Sequence, residues 1–385
     1  MLVHNTFARG TFERANSLGR NLVRNGHKVT LFAGASCRAR ARCSVVQGVE
    51  VIEAFDPLPP RARESGLSPF DLLSRIYRLG RNGCDLVHCF DHRPTVFLPA
   101  MLLAWREGTP CIFDWADLWG FEGIAGERGR PARLLLGTLD HFLEDRVRGR
   151  ADGLTVINSA LQRRAEQRFT APIHLLPVGA SSDLIRPHPK NEMRRRFNLP
   201  AEALVAVHTG LAPYDMTYLA KAFVEIARRR PGALLVMAGR PFPMLESIIG
   251  RAGLSHQLVR LGMLDQATLS QVMACADVLL LPYTNRSVNL YRYPNKLGDY
   301  LCAGRPIVTN RTGDLGRLMV QERVGLAAQD TAESFADAVV RLFDDPALAQ
   351  EMGERGRVLA ESKLDWRFLA AGLERFYHAT VTRCR

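Results

Sequence analysis

Apolar runs of strand length recur along this chain, and segments of helical length lie between them. The runs "HKVTLFAG", "DLVHCF", "PCIFDW", "GLTVIN" and "IHLLPV" fill the first half. "LVAVHTG", "ALLVMAG", "LVRLG", "DVLLLPY" and "PIVTN" fill the second. Strands this apolar are buried on both faces. Separated by segments such as "FERANSLGRNLVRNG", "SALQRRAEQRF", "YLAKAFVEIARRR" and "DQATLSQVMACA", they specify parallel sheets covered by helices. The run "LLPVGASSDLIRPHPK" (175–190) breaks the rhythm with three prolines and a glycine, and reads as a linker between two α/β halves. A chain of 385 residues also suits two cores better than one. After Asp345 the pattern predicts helix to the end, with Leu364, Phe368, Leu369, Leu373 and Phe376 at helical spacing.

Composition narrows the function classes. The chain is 47% hydrophobic and 23% charged, which is globular. No apolar run reaches the ~18 residues of a membrane span, and "MLVHNTFARG" has no signal-peptide pattern. The eight cysteines contain no Cys-x-x-Cys pair, and no His/Cys cluster has zinc spacing. Free thiols in a reducing cytoplasm, no metal site and no cofactor are the expectation. The net charge of +12 suits an anionic ligand or surface, and equally suits a genome that favours arginine over lysine. The basic residues are spread over both halves without interleaved aromatics, so nucleic acid is not expected as a partner.

The stretch "YRYPNKLGDYLCAGRPIVTN" (291–310) is the most specific. Pro294 fits the first turn of a helix, and Lys296, Asp299 and Tyr300 then share a face. A helix start with Lys296 beside it attracts phosphate oxygens. Asp299, about a turn deeper, can accept from vicinal ribose hydroxyls. Together they fit a nucleoside diphosphate; a plain surface Lys–Asp pair fits as well.

Six blocks, in order, resemble the retaining family-4 (group 1) glycosyltransferases of the GT-B fold. "ARGTFERANSLGRNLVRNGHKVTL" and "DRVRGRADGLTVINSALQRRA" lie in the first half. "LLPVGASSDLIRP" resembles the interdomain segment, and "VHTGLAPYDMTYLAKAF" the strand, glycine turn and helix that follow it. "VRLGMLDQATLSQVMACADVLLLPY" and "NKLGDYLCAGRPIV" complete the series. The resemblance implies an α/β GT-B architecture: two Rossmann-like domains facing each other across a cleft, with a C-terminal helix crossing back. Residues 1–178 would be the acceptor-binding domain, 179–362 the donor-binding domain, and 363–385 the returning helix.

It also implies a role for particular residues. Asp299 stands at the second Glu of the family's E-x7-E motif, the ribose ligand. The first Glu falls at Tyr291, where Asn289 or the Tyr291 hydroxyl would have to substitute. The basic pair that holds the diphosphate is replaced near Leu211 and Met216, so Lys296 and Arg292, with Asn295 and the Gly210 loop, become the donor-binding candidates. Arg240 stands in reserve. Gly262 and Met263 fall where the family's backbone meets the nucleobase; Gly210 and Gly262 also fit plain turn geometry.

In the first half, Gly10 and Thr11 precede a helix, and Asp91, His92 and Arg93 end one strand. Asp114 and Asp117 end another, with Ala116 where relatives often carry a His. Gly10, Thr11, Asp91 and His92 are acceptor-side candidates, although Asp at such places also caps helices. Asp114 and Asp117 join Lys296 as catalytic candidates. Glu144 and Asp145 read as helix-surface charges, and His208 as a packed histidine.

The implied reaction moves a sugar from a nucleoside-diphosphate sugar to a saccharide, lipid-linked or small-molecule acceptor, with retention and without a metal. Two other readings stay open: a sugar-nucleotide epimerase of the same fold, and a non-catalytic binding protein. Arg-rich segments such as "CRARARC" (37–43) and "RVRGRADG" (146–153) suggest peripheral contact with an anionic membrane from the cytoplasmic side.

Overall fold

The computed structural model describes residues 1–7, 10–36, 40–129, 133–211 and 214–384. The chain divides into two compact units. The first comprises Met1–Pro177, Tyr291–Tyr293 and Trp366–Arg385; the second comprises Val178–Leu290 and Pro294–Asp365.

The first unit is built on an eight-stranded sheet: β1 (Leu2–Thr6), β2 (Thr30–Gly34), β3 (Arg42–Val46), β4 (Val49–Glu53), β5 (Val87–Cys89), β6 (Cys111–Trp115), β7 (Gly153–Val156) and β8 (Ile173–Leu175). The strand order is β3-β4-β2-β1-β5-β6-β7-β8, and every pair is parallel except β3–β4. That antiparallel hairpin turns at Gln47 and Gly48, both at positive φ, as a tight two-residue hairpin requires. It was not legible as apolar runs, because β3 is an edge strand with mostly exposed side chains.

The helix Thr11–Arg24 buries Phe12, Ala15, Leu18 and Leu22 against the sheet. The C-terminal helix Trp366–Cys384 joins the same core through Trp366, Ala370 and Leu373. Helix does not run unbroken from Asp345: Asp365 separates this helix from the turns before it. The buried face is therefore set by Trp366, and Phe368 points out with 51% of its surface exposed.

The second unit carries six parallel strands: β9 (Leu204–Gly210), β10 (Ala233–Gly239), β11 (Leu258–Gly262), β12 (Val278–Leu281), β13 (Ile307–Asn310) and β14 (Gly325–Ala328). Their order is β11-β10-β9-β12-β13-β14. The helix Met216–Arg229 follows β9 and buries Leu219, Phe223 and Ile226 at helical spacing. Each such side chain contributes roughly 1.5–3 kcal/mol. In both units the order reverses beside a central strand, and such sheets bind ligands at the carboxyl ends of their strands.

Candidate active site

In the second unit the site residues gather where β9 ends. His208, the third residue from the end of the strand, is buried, and its Nδ1 lies 2.9 Å from the Leu280 carbonyl oxygen. That contact makes Nδ1 the protonated nitrogen and leaves Nε2 as an acceptor. Burial and the neighbouring Lys296 charge push the His208 pKa well below its usual value, so the ring is neutral. Lys296 Nζ sits 3.4 Å from Nε2, so a neutral imidazole faces the ammonium.

The same ammonium hangs over Gly210. A Cβ on Gly210, whose φ is +150°, would meet Nζ at 2.5 Å. Gly239, at the end of β10, comes so close that its Cβ would meet the Gly210 carbonyl oxygen at 2.0 Å. Both positions need glycine for this approach.

Lys296 opens the helix Lys296–Cys302, just after Pro294. Asn295 is exposed and Asp299 half-buried. Tyr300 does not face a ligand alongside them: it is buried, and its hydroxyl accepts from the Thr209 N–H at 2.9 Å. It fastens this helix to β9 instead. At the two positions expected for a basic pair, Leu211 is half-exposed and Met216 buried; residues 212 and 213 between them lie outside the described residues.

Asp215 was missed in the sequence. It takes a left-handed conformation at the start of the helix after β9, yet makes no side-chain cap to it. Its carboxylate accepts from Thr284 Oγ1 (2.6 Å) and Asn289 Nδ2 (3.0 Å). Asn289 is thus a structural anchor. The helix start keeps its first N–H groups without a side-chain cap, the arrangement that attracts anions. At the other flank of β10, Gly262 has φ +68°, a Cβ there would meet nothing within 4 Å, and Met263 is exposed.

The first unit's sheet edge carries far more charge, and most of it is internal. Asp114 is buried, and both of its oxygens are engaged: Oδ2 by Arg14 Nε at 3.0 Å, and Oδ1 by Arg14 Nη2 at 3.1 Å and Thr155 Oγ1 at 2.5 Å. It anchors Arg14, so the catalytic expectation for Asp114 gives way to a structural one. Asp91 and His92 are likewise enclosed. Asp91 pairs with His4 Nδ1 at 2.7 Å and accepts from the His92 and Arg93 N–H groups. Burial opposes its charge, but His4, His92 and Arg93 hold its pKa well below the carboxylate range. His92 faces Asp140 at 3.5 Å, and Asp140 also binds Arg93 (2.6 Å) and Arg128 (2.8 Å). These two acceptor-side candidates are thereby members of a buried ion network.

Glu144 corrects another expectation. It is buried and accepts from Trp115 Nε1, Trp119 N and Gly120 N at 2.8–2.9 Å. Gly10 and Thr11 are organised by Asn5, whose Oδ1 accepts from Thr11 N (2.9 Å) and Thr11 Oγ1 (2.7 Å). Asn5 left no signal beyond being a polar residue at a strand end.

Asp117 differs from its neighbours. Its side chain keeps 31% of its surface, and Arg292 Nε lies 3.3 Å away. Burial raises its pKa to about 6; Arg292 works against that rise, while Asp91, Asp114 and Glu144 add to it. Arg292 and Tyr291, expected on the donor side, belong to the first unit. Asn158 Nδ2 donates to the Arg292 carbonyl at 3.1 Å, and Arg164 lies over the Tyr291 ring at 5.8 Å.

Residues 9–179 match the family model described as "Glycosyl transferase 4-like domain", and residues 204–345 match "Glycosyl transferases group 1". The chain belongs to the group 1 glycosyltransferases. It is similar to the GDP-mannose-dependent alpha-(1-6)-phosphatidylinositol monomannoside mannosyltransferase of Mycolicibacterium smegmatis, 28% identical over 59% of this chain and 62% of that protein. It is also similar to the glycogen synthase of Mycobacterium tuberculosis, 29% identical over 79% of this chain and 72% of that protein. The match thus spans less than two thirds of the mannosyltransferase.

Among solved structures, sucrose-phosphate synthase from Thermosynechococcus elongatus superposes with a TM-score of 0.80 at 16% identity, over 98% of this glycosyltransferase and 95% of that chain. Anabaena HepE, solved with UDP-glucose, gives 0.73 at 14% identity over 98% of both chains. The fold is GT-B.

Proposed function

We propose that this glycosyltransferase transfers a sugar from a nucleoside-diphosphate sugar, with retention and without a metal in the transfer step. The observation that carries the reading is the ammonium of Lys296 held over the Gly210 turn at the end of β9. Breaking a sugar–phosphate bond builds oxocarbenium character on the sugar and negative charge on the departing diphosphate. A fixed cation beside uncapped helix N–H groups stabilises that charge. His208 acts through Lys296: its neutral Nε2 accepts from the ammonium and fixes its position. Asp299 is assigned to the ribose hydroxyls, and the Gly262–Met263 turn to the base. Named relatives support the donor class, since one is GDP-mannose-dependent and HepE was solved with UDP-glucose.

On the acceptor side Asp117 is the candidate, because a carboxyl titrating near neutrality can exchange a proton with a hydroxyl. Placement in the cytoplasm agrees with seven free cysteines among the described residues. Peripheral contact with an anionic membrane belongs to the same proposal and rests on the net charge of +12; vesicle sedimentation at low salt reads it. No helix among the described residues is long and apolar enough to cross a membrane. Residues 37–39 of the first basic segment lie outside the described residues. In the second, Arg148 is buried over the Trp115 ring and is not available to lipid.

A panel of nucleotide sugars tests the reading. One donor should raise the melting temperature and be turned over to nucleoside diphosphate in the presence of a glycosyl acceptor. Release of an epimer without any acceptor would move the protein to the epimerase reading, and binding without turnover to the non-catalytic one.

A further inference from the structure

Two histidines and a glutamate from opposite ends of the chain meet on the surface of the first unit. We propose that His27, Glu374 and His378 form a site for a divalent transition metal of the zinc type, which clamps the C-terminal helix to the turn before β2. One ligand atom from each residue lies within 4.8 Å of the others. Imidazole nitrogen and carboxylate oxygen are ordinary zinc ligands. Two imidazoles favour zinc, cobalt or nickel over magnesium and calcium, which prefer all-oxygen shells.

The backbone frame is already suited to an ion. Glu374 and His378 are one turn apart on the helix Trp366–Cys384, so they share a face. His27 is fixed by the turn that ends the helix Thr11–Arg24. Its N–H donates to the Leu22 carbonyl, and the Gly26 N–H donates to the Val23 carbonyl, both at 3.0 Å. This is a Schellman closure, with Gly26 at φ +96°. The same turn presents Asn25, whose Nδ2 donates to Glu374 Oε2 at 2.7 Å. Glu374 Oε1 meets His27 Nε2 at 2.7 Å.

Asn25 therefore orients the carboxylate through its outer oxygen, as partners of metal-binding carboxylates do. Bonds of ~2.1 Å put tetrahedral ligand atoms about 3.4 Å apart, so the 2.7 Å His27–Glu374 contact opens slightly and the contacts to His378, all within 4.8 Å, adjust by little more than an ångström. The His27 and Glu374 side chains keep 39% and 24% of their surface, so solvent can deliver the ion and fill its open position. The sequence hid this site because His27 and Glu374 are 347 positions apart.

The test uses the full chain, stripped by chelator and titrated with ZnCl2 by calorimetry at neutral pH. The exposed thiols Cys43, Cys84 and Cys384, together with Cys37, are replaced by serine so that they cannot compete. One ion per chain should bind and raise the melting temperature by about 3–6 °C at a hundredfold excess over Kd. His27→Ala and His378→Ala should each weaken binding by at least ~10-fold, and Asn25→Ala by ~10-fold or less. Cobalt(II) in the unsubstituted chain should show no thiolate charge-transfer band. No uptake by the serine-substituted chain, uptake unchanged in both histidine variants, or a thiolate band in the cobalt spectrum would each overturn the proposal. Both histidines lie at the surface, so their variants should fold, and circular dichroism checks it.

Discussion

The two sheet edges spend their charges differently. Along the first unit's edge, carboxylates and cations neutralise one another: Asp114 with Arg14, and Asp140 with Arg93 and Arg128. At the end of β9 in the second unit, Lys296 faces a neutral histidine. A buried ion pair fixes geometry, and breaking one is costly. The His208 imidazole instead holds the Lys296 ammonium in place over the Gly210 turn. Under the proposed function the first edge serves stability and the second the ligand, and that division can be broken by experiment.

The largest effect is expected from Arg14→Ala. It leaves Asp114 uncompensated in the core and removes donors to the Leu176 and Pro177 carbonyls. A loss of about 3–5 kcal/mol in stability follows, read by denaturant unfolding. If stability holds and only activity falls, the first edge is not the structural one.

Lys296→Ala should do the opposite. Turnover of the donor identified by the panel should fall ~10²–10³-fold, more than its binding weakens, because the leaving diphosphate carries more charge in the transition state. Turnover close to wild type would remove Lys296 from the site.

Asp299→Ala sharpens the second half of the contrast. It should weaken nucleoside-diphosphate binding by about 1.5–3 kcal/mol, measured calorimetrically; unchanged affinity with an intact fold would take Asp299 out of the ribose role.

The smallest effect concerns Asp117, the carboxylate at the first edge that keeps surface and titrates near neutrality. Its folded pKa of about 6 lies above its ordinary 3.8, so between these values the folded state holds a proton that the unfolded chain has released. Its contribution to stability is full below pH ~4 and is lost as the pH rises through about 6. The shift alone caps this at about 3 kcal/mol; with 31% of the side chain open to solvent, about 1 kcal/mol is the expectation. Asp117→Asn should flatten that decline in a melting series from pH 4 to 8. A slope unchanged from wild type would show that Asp117 titrates normally.

Much of this was legible in the sequence, for a physical reason. Doubly buried strands such as "LVAVHTG" and amphipathic helices such as "YLAKAFVEIARRR" carry their environment in their own pattern, and the Lys296–Asp299 helix announced itself by Pro294. What stayed hidden depends on partners distant in the chain. Asp114 and Glu144 are acidic in the sequence, and only folding shows one enclosed by Arg14 and the other by Trp115 and Trp119. Arg14 left one faint trace, a charge next to Ala15 and one turn before Leu18. The hairpin β3–β4 was missed because an exposed edge strand has no apolar run to display.

The place of Trp366, Ala370 and Leu373 in the first unit's core has a consequence for biosynthesis. These residues are made after the second unit, yet they complete the packing around Phe12, Leu18 and Leu22, which are made before it. The half translated early must wait, with an apolar flank uncovered, while the second unit is made and can fold. Synthesis order and folding order are therefore reversed between the two units, and the earlier-made one is sealed by a helix that follows the later one in the chain.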